Sequence, residues 1–83
     1  MDTLLENGVH VIVNIKICIN SQEIDDATTP EAAKQVGEML GTVFADYILD
    51  DGLIAGTYRD NLTNTKGGLR RSSVEISWHD GMD

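Results

Sequence analysis

The side chains best suited to chemistry are two histidines and one cysteine. His79 precedes Asp80, and adjacent side chains on a strand point to opposite faces, so the two residues are poorly placed to act as a pair. No nucleophile is recognisable beside His79 or His10, and Cys18 has no evident activating base, which favours an inert, partly buried thiol. We therefore predict no catalytic residue, no metal site and no cofactor, and we expect that the protein is not an enzyme.

Carboxylates are far more numerous than these groups. The 83 residues include 14 acidic and 6 basic side chains, which gives a net charge of −8. The excess lies in residues 1–52, where ten acids face two bases, whereas residues 53–83 hold four of each. This balance argues against direct binding of nucleic acid or of an anionic membrane, and it favours a basic partner.

Three aspartates mark the end of a predicted helix. Asp46, Asp50 and Asp51 lie at its C-terminus, where the helix dipole is negative and each carboxylate costs a few tenths to about 1 kcal/mol. The Asp-Asp-Gly sequence lacks the alternating spacing of a calcium loop. Two interpretations stay open: a solvated surface, or an acidic patch that a basic partner neutralises.

A second acidic group precedes the helix and continues along it. Glu23 and two aspartates come just before the helix start, where they would also favour its positive end. Together the two groups form a long negative band that could mimic the phosphates bound by a basic groove. The predicted partner-binding residues are Glu23, Asp25, Asp26, Glu31, Glu38, Asp46, Asp50 and Asp51.

Two other groups have competing interpretations. The cations Arg59, Lys66, Arg70 and Arg71 gather around a predicted hairpin, where they either bind an anion or keep the loop soluble. On the strands beside that hairpin, Trp78 and Tyr58 are either core residues or a stacking site for a planar ligand.

The elements that must position these residues follow from the apolar spacing. Residues 9–19 alternate with period two and predict a long strand, with the odd-numbered residues on one face. Thr28 or Thr29 can cap a helix that starts near Pro30, with Thr28 and Glu31 as a capping box. An amphipathic pattern then continues for about five turns, and Gly52 is placed to end it.

Residues 53–59 and 69–79 predict two further strands, joined by a turn-rich loop. The chain is therefore expected to be a single α+β domain with β-α-β-β order. One long amphipathic helix would cover one face of a three-stranded mixed sheet in two layers, with the last strand in the middle. The core would span residues 9–79, with residues 1–7 and 80–83 as flexible ends.

Small residues recur every four positions along the helix. Ala33, Gly37, Gly41 and Ala45 form one stripe, and each mid-helix glycine costs roughly 1 kcal/mol against alanine. Tight packing on the sheet is one explanation. Self-association of two copies through Gly37, Gly41 and Ala45 is the other, which makes a homodimer possible.

The strand order in a chain of this size is similar to that of dodecins, small oligomers that store flavin, and this resemblance implies a homo-oligomeric ligand-binding protein as the alternative function. In size and charge the chain also resembles small acidic proteins of mobile elements, such as anti-CRISPR and anti-restriction inhibitors. That likeness implies a non-enzymatic protein that blocks a basic, nucleic-acid-binding surface of a larger protein. The acidic N-terminal sequence has no signal-peptide pattern, so we expect a cytoplasmic location.

Overall fold

A computed structural model describes residues 2–4, 10–25, 28–49, 55–63, 65–66 and 68–81. These residues form five strands and one helical segment. The elements are β1 (Asp2–Leu4), β2 (His10–Ile19), β3 (Gln22–Ile24), α1 (Pro30–Thr42), a π-helix (Val43–Leu49), β4 (Gly56–Leu62) and β5 (Ser72–Asp80).

The expected α+β class is confirmed, but the details of the sheet differ from the expectation. β5 lies between β2 and β4, as predicted, and β1 and β3 both pair with the far edge of β2. Every neighbouring pair is antiparallel, so the expectation of a three-stranded mixed sheet is wrong. The crossover makes β2 and β4 run the same way, but β5 separates them, and a mixed sheet would need them to be neighbours.

The residues after β2 form a hairpin where the sequence predicts a loop. Ile19 pairs with Gln22, and the two residues between them, Asn20 and Ser21, have φ values of 52° and 67°. Two consecutive positive φ angles define a type I′ turn, whose twist suits a tight antiparallel hairpin. β3 is short and mostly polar, so it shows no apolar alternation that would predict a strand.

The helix begins one residue later than a Thr28 capping box would require. Thr29 is the N-cap, its backbone is extended, and its Oγ1 accepts a hydrogen bond from the Ala32 N–H at 3.1 Å. Pro30 follows at the first helical position, where its missing N–H costs nothing. At the other end, residues 43–49 widen into a π-helix, and Gly52, the predicted C-terminal cap, lies outside the described residues.

The core lies between the helical segment and one face of the sheet. Its buried members come from β2, the helix, β4, the loop before β5, and β5; they are Val11, Val13, Ala32, Val36, Val43, Ile48, Leu62, Leu69, Val74, Ile76 and Trp78. Ile15 shares the core-facing side of β2 but is 37% exposed. The helix packs mainly near β4, so Ile15 is only partly covered.

A glycine admits the one tryptophan into this core. Gly56 is paired with Trp78, and a Cβ at position 56 would come within 2.6 Å of the indole Cζ2 atom. Tyr47 from the π-helix also packs against the indole, with ring centroids 5.7 Å apart. Trp78 is only 5% exposed, which makes it a core residue.

Candidate partner-binding groove

The two faces of the sheet carry charge differently. Across the face opposite the helix, Lys16, Glu75 and Arg59 form one row of directly paired residues with alternating sign. The Arg59 Nε lies 2.6 Å from a Glu75 oxygen, and the Lys16 Nζ lies 3.5 Å from a Glu23 oxygen. The carboxylates of this open face are therefore balanced by cations on the same face.

The carboxylates on the helix side have no such partners. Glu31 and Glu38 lie on one flank of α1, separated by the two turns that bring side chains into line. Asp46 is exposed on the π-helix, and Asp60 stands on β4 opposite the core residue Val74. Within the described part of the chain, none of these four carboxylates is within ion-pair distance of a lysine or arginine.

A groove of about 310 Å³ separates α1 from β4 and contains two of these carboxylates. Its walls are formed by one flank of the helix and by the outer strand, and its lining residues are Gln35, Glu38, Met39, Thr42, Tyr58, Asp60, Asn61 and Thr63. The side chains at its rim are polar or acidic, and Met39 and the ring of Tyr58 supply apolar surface. Such a groove suits a long side chain with an apolar stem and a positive end.

Hydrogen bonds fix the strand side of the groove. The Tyr58 hydroxyl donates to Asp60 Oδ2 at 3.0 Å, and the Asn61 N–H donates to the other oxygen of that carboxylate at 2.7 Å. The hydrogen bond to Asp60 raises the pKa of the Tyr58 phenol above its usual value of 10.0, with smaller contributions from burial and from the negative charge of Asp60. Farther along, the Thr63 N–H donates to Gln35 Oε1 at 2.8 Å and links the strand to the helix.

The structure does not bring the predicted acidic residues together as one band. Glu38 lines the groove, Glu31 lies two turns earlier on the same helix flank, and Asp46 is exposed on the π-helix, but Glu23 lies on the open face with Lys16. Asp25 is exposed in the bend after β3. Asp26, Asp50 and Asp51 lie outside the described residues.

Asp60 is the acidic residue that the sequence reasoning missed. It was assigned to the loop after the second predicted strand, whereas β4 continues to Leu62. The signal was available in the alternation of Gly56, Tyr58 and Asp60, which places all three on the same face of a longer strand.

The helix glycines do not pack on the sheet. Gly37, Gly41 and Ala45 are exposed, and a Cβ at either glycine would meet no atom within 4 Å beyond the adjoining backbone. Close packing on the sheet is therefore the wrong explanation for these glycines. Self-association through this stripe stays a prediction.

The basic residues of the predicted hairpin do not act as one group. Arg59 is engaged with Glu75 on the open face, whereas Lys66, Arg70 and Arg71 lie exposed in the connection between β4 and β5. Beside Arg59, a shallow pocket of about 230 Å³ contains Cys18, which is partly buried. No group of three or more metal-ligating side chains is present among the described residues.

Comparisons with known proteins find no related protein. No protein-family model matches the chain, and no curated protein or solved structure matches it either. In the part of the chain that is described, no helix is both long and apolar enough to cross a bilayer.

Proposed function

We propose that this chain is a non-enzymatic, acidic binding protein of the cytoplasm that blocks a basic, nucleic-acid-binding surface on a larger protein. One observation carries the proposal: Glu38 and Asp60 share a groove whose described lining residues include no cation, while Glu23 and Glu75 on the opposite face are each paired with one. An unpaired group of like charges is stabilised when a surface of opposite charge covers it.

The mechanism is competition for the basic surface. Carboxylates along the helix flank take positions that phosphates would occupy, and the helix and the sheet beneath exclude the nucleic acid sterically. Long-range attraction accelerates the encounter, so association is fast at low salt and slows as added salt screens the charges. Lysine and arginine side chains of the partner reach into the groove, where the Tyr58 ring and Met39 contact their methylene stems.

The test compares two glutamates that carry the same charge in different places. A protein retained by the immobilised chain from lysate is purified, and its association rate is measured by surface plasmon resonance at low and high salt. Glu38→Gln should weaken binding by about five- to tenfold, the range expected for one lost interfacial charge pair. Glu23→Gln, which changes the net charge equally but lies on the open face, should have a much smaller effect.

Two results would contradict the proposal. One is an association rate that does not change between about 20 and 300 mM salt, a range over which the screening length falls severalfold. The other is an equal response to Glu38→Gln and Glu23→Gln. A supporting result includes displacement of nucleic acid from the retained protein when the chain binds to it.

A further inference from the structure

Among the described strands, β4 lies at one edge of the sheet, and the hydrogen-bond pattern of the sheet shows which of its residues face outward. The tight β2–β3 hairpin makes Ile19 and Gln22 a hydrogen-bonded pair, so odd-numbered residues of β2 bond toward β3 and even-numbered residues toward β5. The Gly81 N–H accordingly donates to the His10 carbonyl at 2.8 Å. The same alternation carries through β5 into β4.

In β4, therefore, the even-numbered residues bond to β5, and the odd-numbered residues direct their N–H and C=O groups outward. Two of these outward N–H groups are already occupied by side chains. Asn61 donates to Asp60 and Thr63 donates to Gln35. Among the described residues, this leaves the backbone groups of Thr57 and Arg59 as an unpaired stretch of strand edge, next to the acidic groove.

A second copy of this chain is a poor occupant for that edge. Antiparallel pairing of two β4 strands about Arg59 would place the two arginines directly opposite each other. Pairing about Asp60 would place that carboxylate opposite its own counterpart, and pairing about Tyr58, which joins Thr57 to Arg59, would set the acidic grooves of the two copies side by side. Like charges in directly opposed positions are destabilising, so charge complementarity favours a basic partner.

We propose that an extended, basic segment of the partner adds to β4 as a further antiparallel strand. Its backbone would bond to Thr57 and Arg59, and alternate side chains would point to opposite faces of the sheet. The side chains on the helix side would be lysine or arginine and would enter the groove beside Glu38 and Asp60. Those on the open face would be small and neutral, because Arg59 stands there. This inference rests on the proposed function and specifies how the basic partner binds to the chain.

The first experiment uses a synthetic peptide, Ac-Thr-Lys-Thr-Lys-Thr-Lys-Thr-NH₂, and two forms of it that are N-methylated either at the internal threonines or at the lysines. In the proposed arrangement the threonine N–H groups bond to β4, while the lysine N–H groups point away. When the peptide is added in steps, the backbone amide resonances of Thr57 and Arg59 should shift in the NMR spectrum. Methylated threonines should weaken binding about tenfold, and methylated lysines should not. Equal binding of all three peptides, or no shift at millimolar peptide, would overturn the strand addition.

The second experiment changes the protein. Thr57→Pro removes one outward N–H, and proline is tolerated at such positions of edge strands, so the unfolding midpoint should hold while peptide binding falls about tenfold. Glu38→Gln should also weaken the peptide, and Glu23→Gln should not. If only the glutamate pair behaves as expected, strand addition is wrong and the acidic binding function stands. If Glu38→Gln has no effect, the proposed function itself fails.

Discussion

At the scale of single residues, two glycines have opposite roles in packing. Gly56 makes room for the Trp78 indole, whereas Gly37 faces open space on the helix. Gly56→Ala should destabilise the fold by about 1–3 kcal/mol, the usual cost of overpacking, because the new methyl group overlaps the indole. Gly37→Ala should stabilise it by about 0.5–1 kcal/mol through helix propensity. Urea unfolding of both variants measures the difference, and a neutral Gly56→Ala would contradict the packing described.

Tyr58 offers a second prediction at this scale, based on its raised pKa. The phenol keeps its proton longer in the folded chain than in the unfolded chain, because its hydroxyl donates to Asp60. Stability conferred by this hydrogen bond is therefore complete below about pH 10, the unfolded pKa, and is lost as the pH rises toward the folded pKa. Asp60→Asn should let the phenol ionise at lower pH. Absorbance of tyrosinate against pH checks this, and superimposable curves for the two proteins would refute it.

At the scale of elements, the start of the helix depends on one threonine. Thr29→Ala removes the side chain that accepts from the Ala32 N–H and should cost about 1 kcal/mol, or roughly 4–8 °C in Tm for a domain of this size. Thr29→Ser should retain most of the stability. Thr28→Ala is the control, because Thr28 is exposed and does not cap. Thermal unfolding followed by circular dichroism measures the Tm of each variant. A larger loss of Tm in Thr28→Ala than in Thr29→Ala would support the Thr28 capping box instead.

The elements that the sequence predicted are those with a strong apolar period. β2, the helix and β5 each carry a regular alternation or stripe, and the last strand was expected in the middle of the sheet, where β5 lies. β3 was missed because its stability depends on the type I′ turn at Asn20 and Ser21, neither of which is a glycine. The π-helix carries no periodic signature that distinguishes it from the helix it extends.

The candidate site was predicted in part, for a physical reason. Glu31 and Glu38 could be placed on one helix flank from spacing alone, since helical geometry is local. The contribution of Asp60 depends on which strand lies at the edge of the sheet and which helix flank faces it, and both are tertiary facts. For the same reason the sequence could not show that Glu23 is neutralised by Lys16.

At the scale of the whole molecule, net charge should weaken the fold. A charge of −8 on 83 residues repels itself, and the unpaired carboxylates beside the helix concentrate that repulsion. Added salt screens it, with a screening length near 30 Å at 10 mM and about 10 Å at 100 mM. The two ion pairs of the open face are exposed and contribute little, so their screening should not offset the gain. The unfolding midpoint in urea should therefore rise between 10 and 200 mM sodium chloride, and a fall would contradict the charge layout.

The position of β5 determines when the sheet can be completed and how truncation affects it. The strand that comes last along the chain stands between β2 and β4, so these two strands cannot belong to one sheet before residues 72–80 are present. A fragment that stops short of Ser72 keeps all the carboxylates of the helix but has no scaffold to hold them beside Asp60. Proteolysis or truncation within β5 would thus abolish the groove in a single event and would leave no fragment that binds the partner partially.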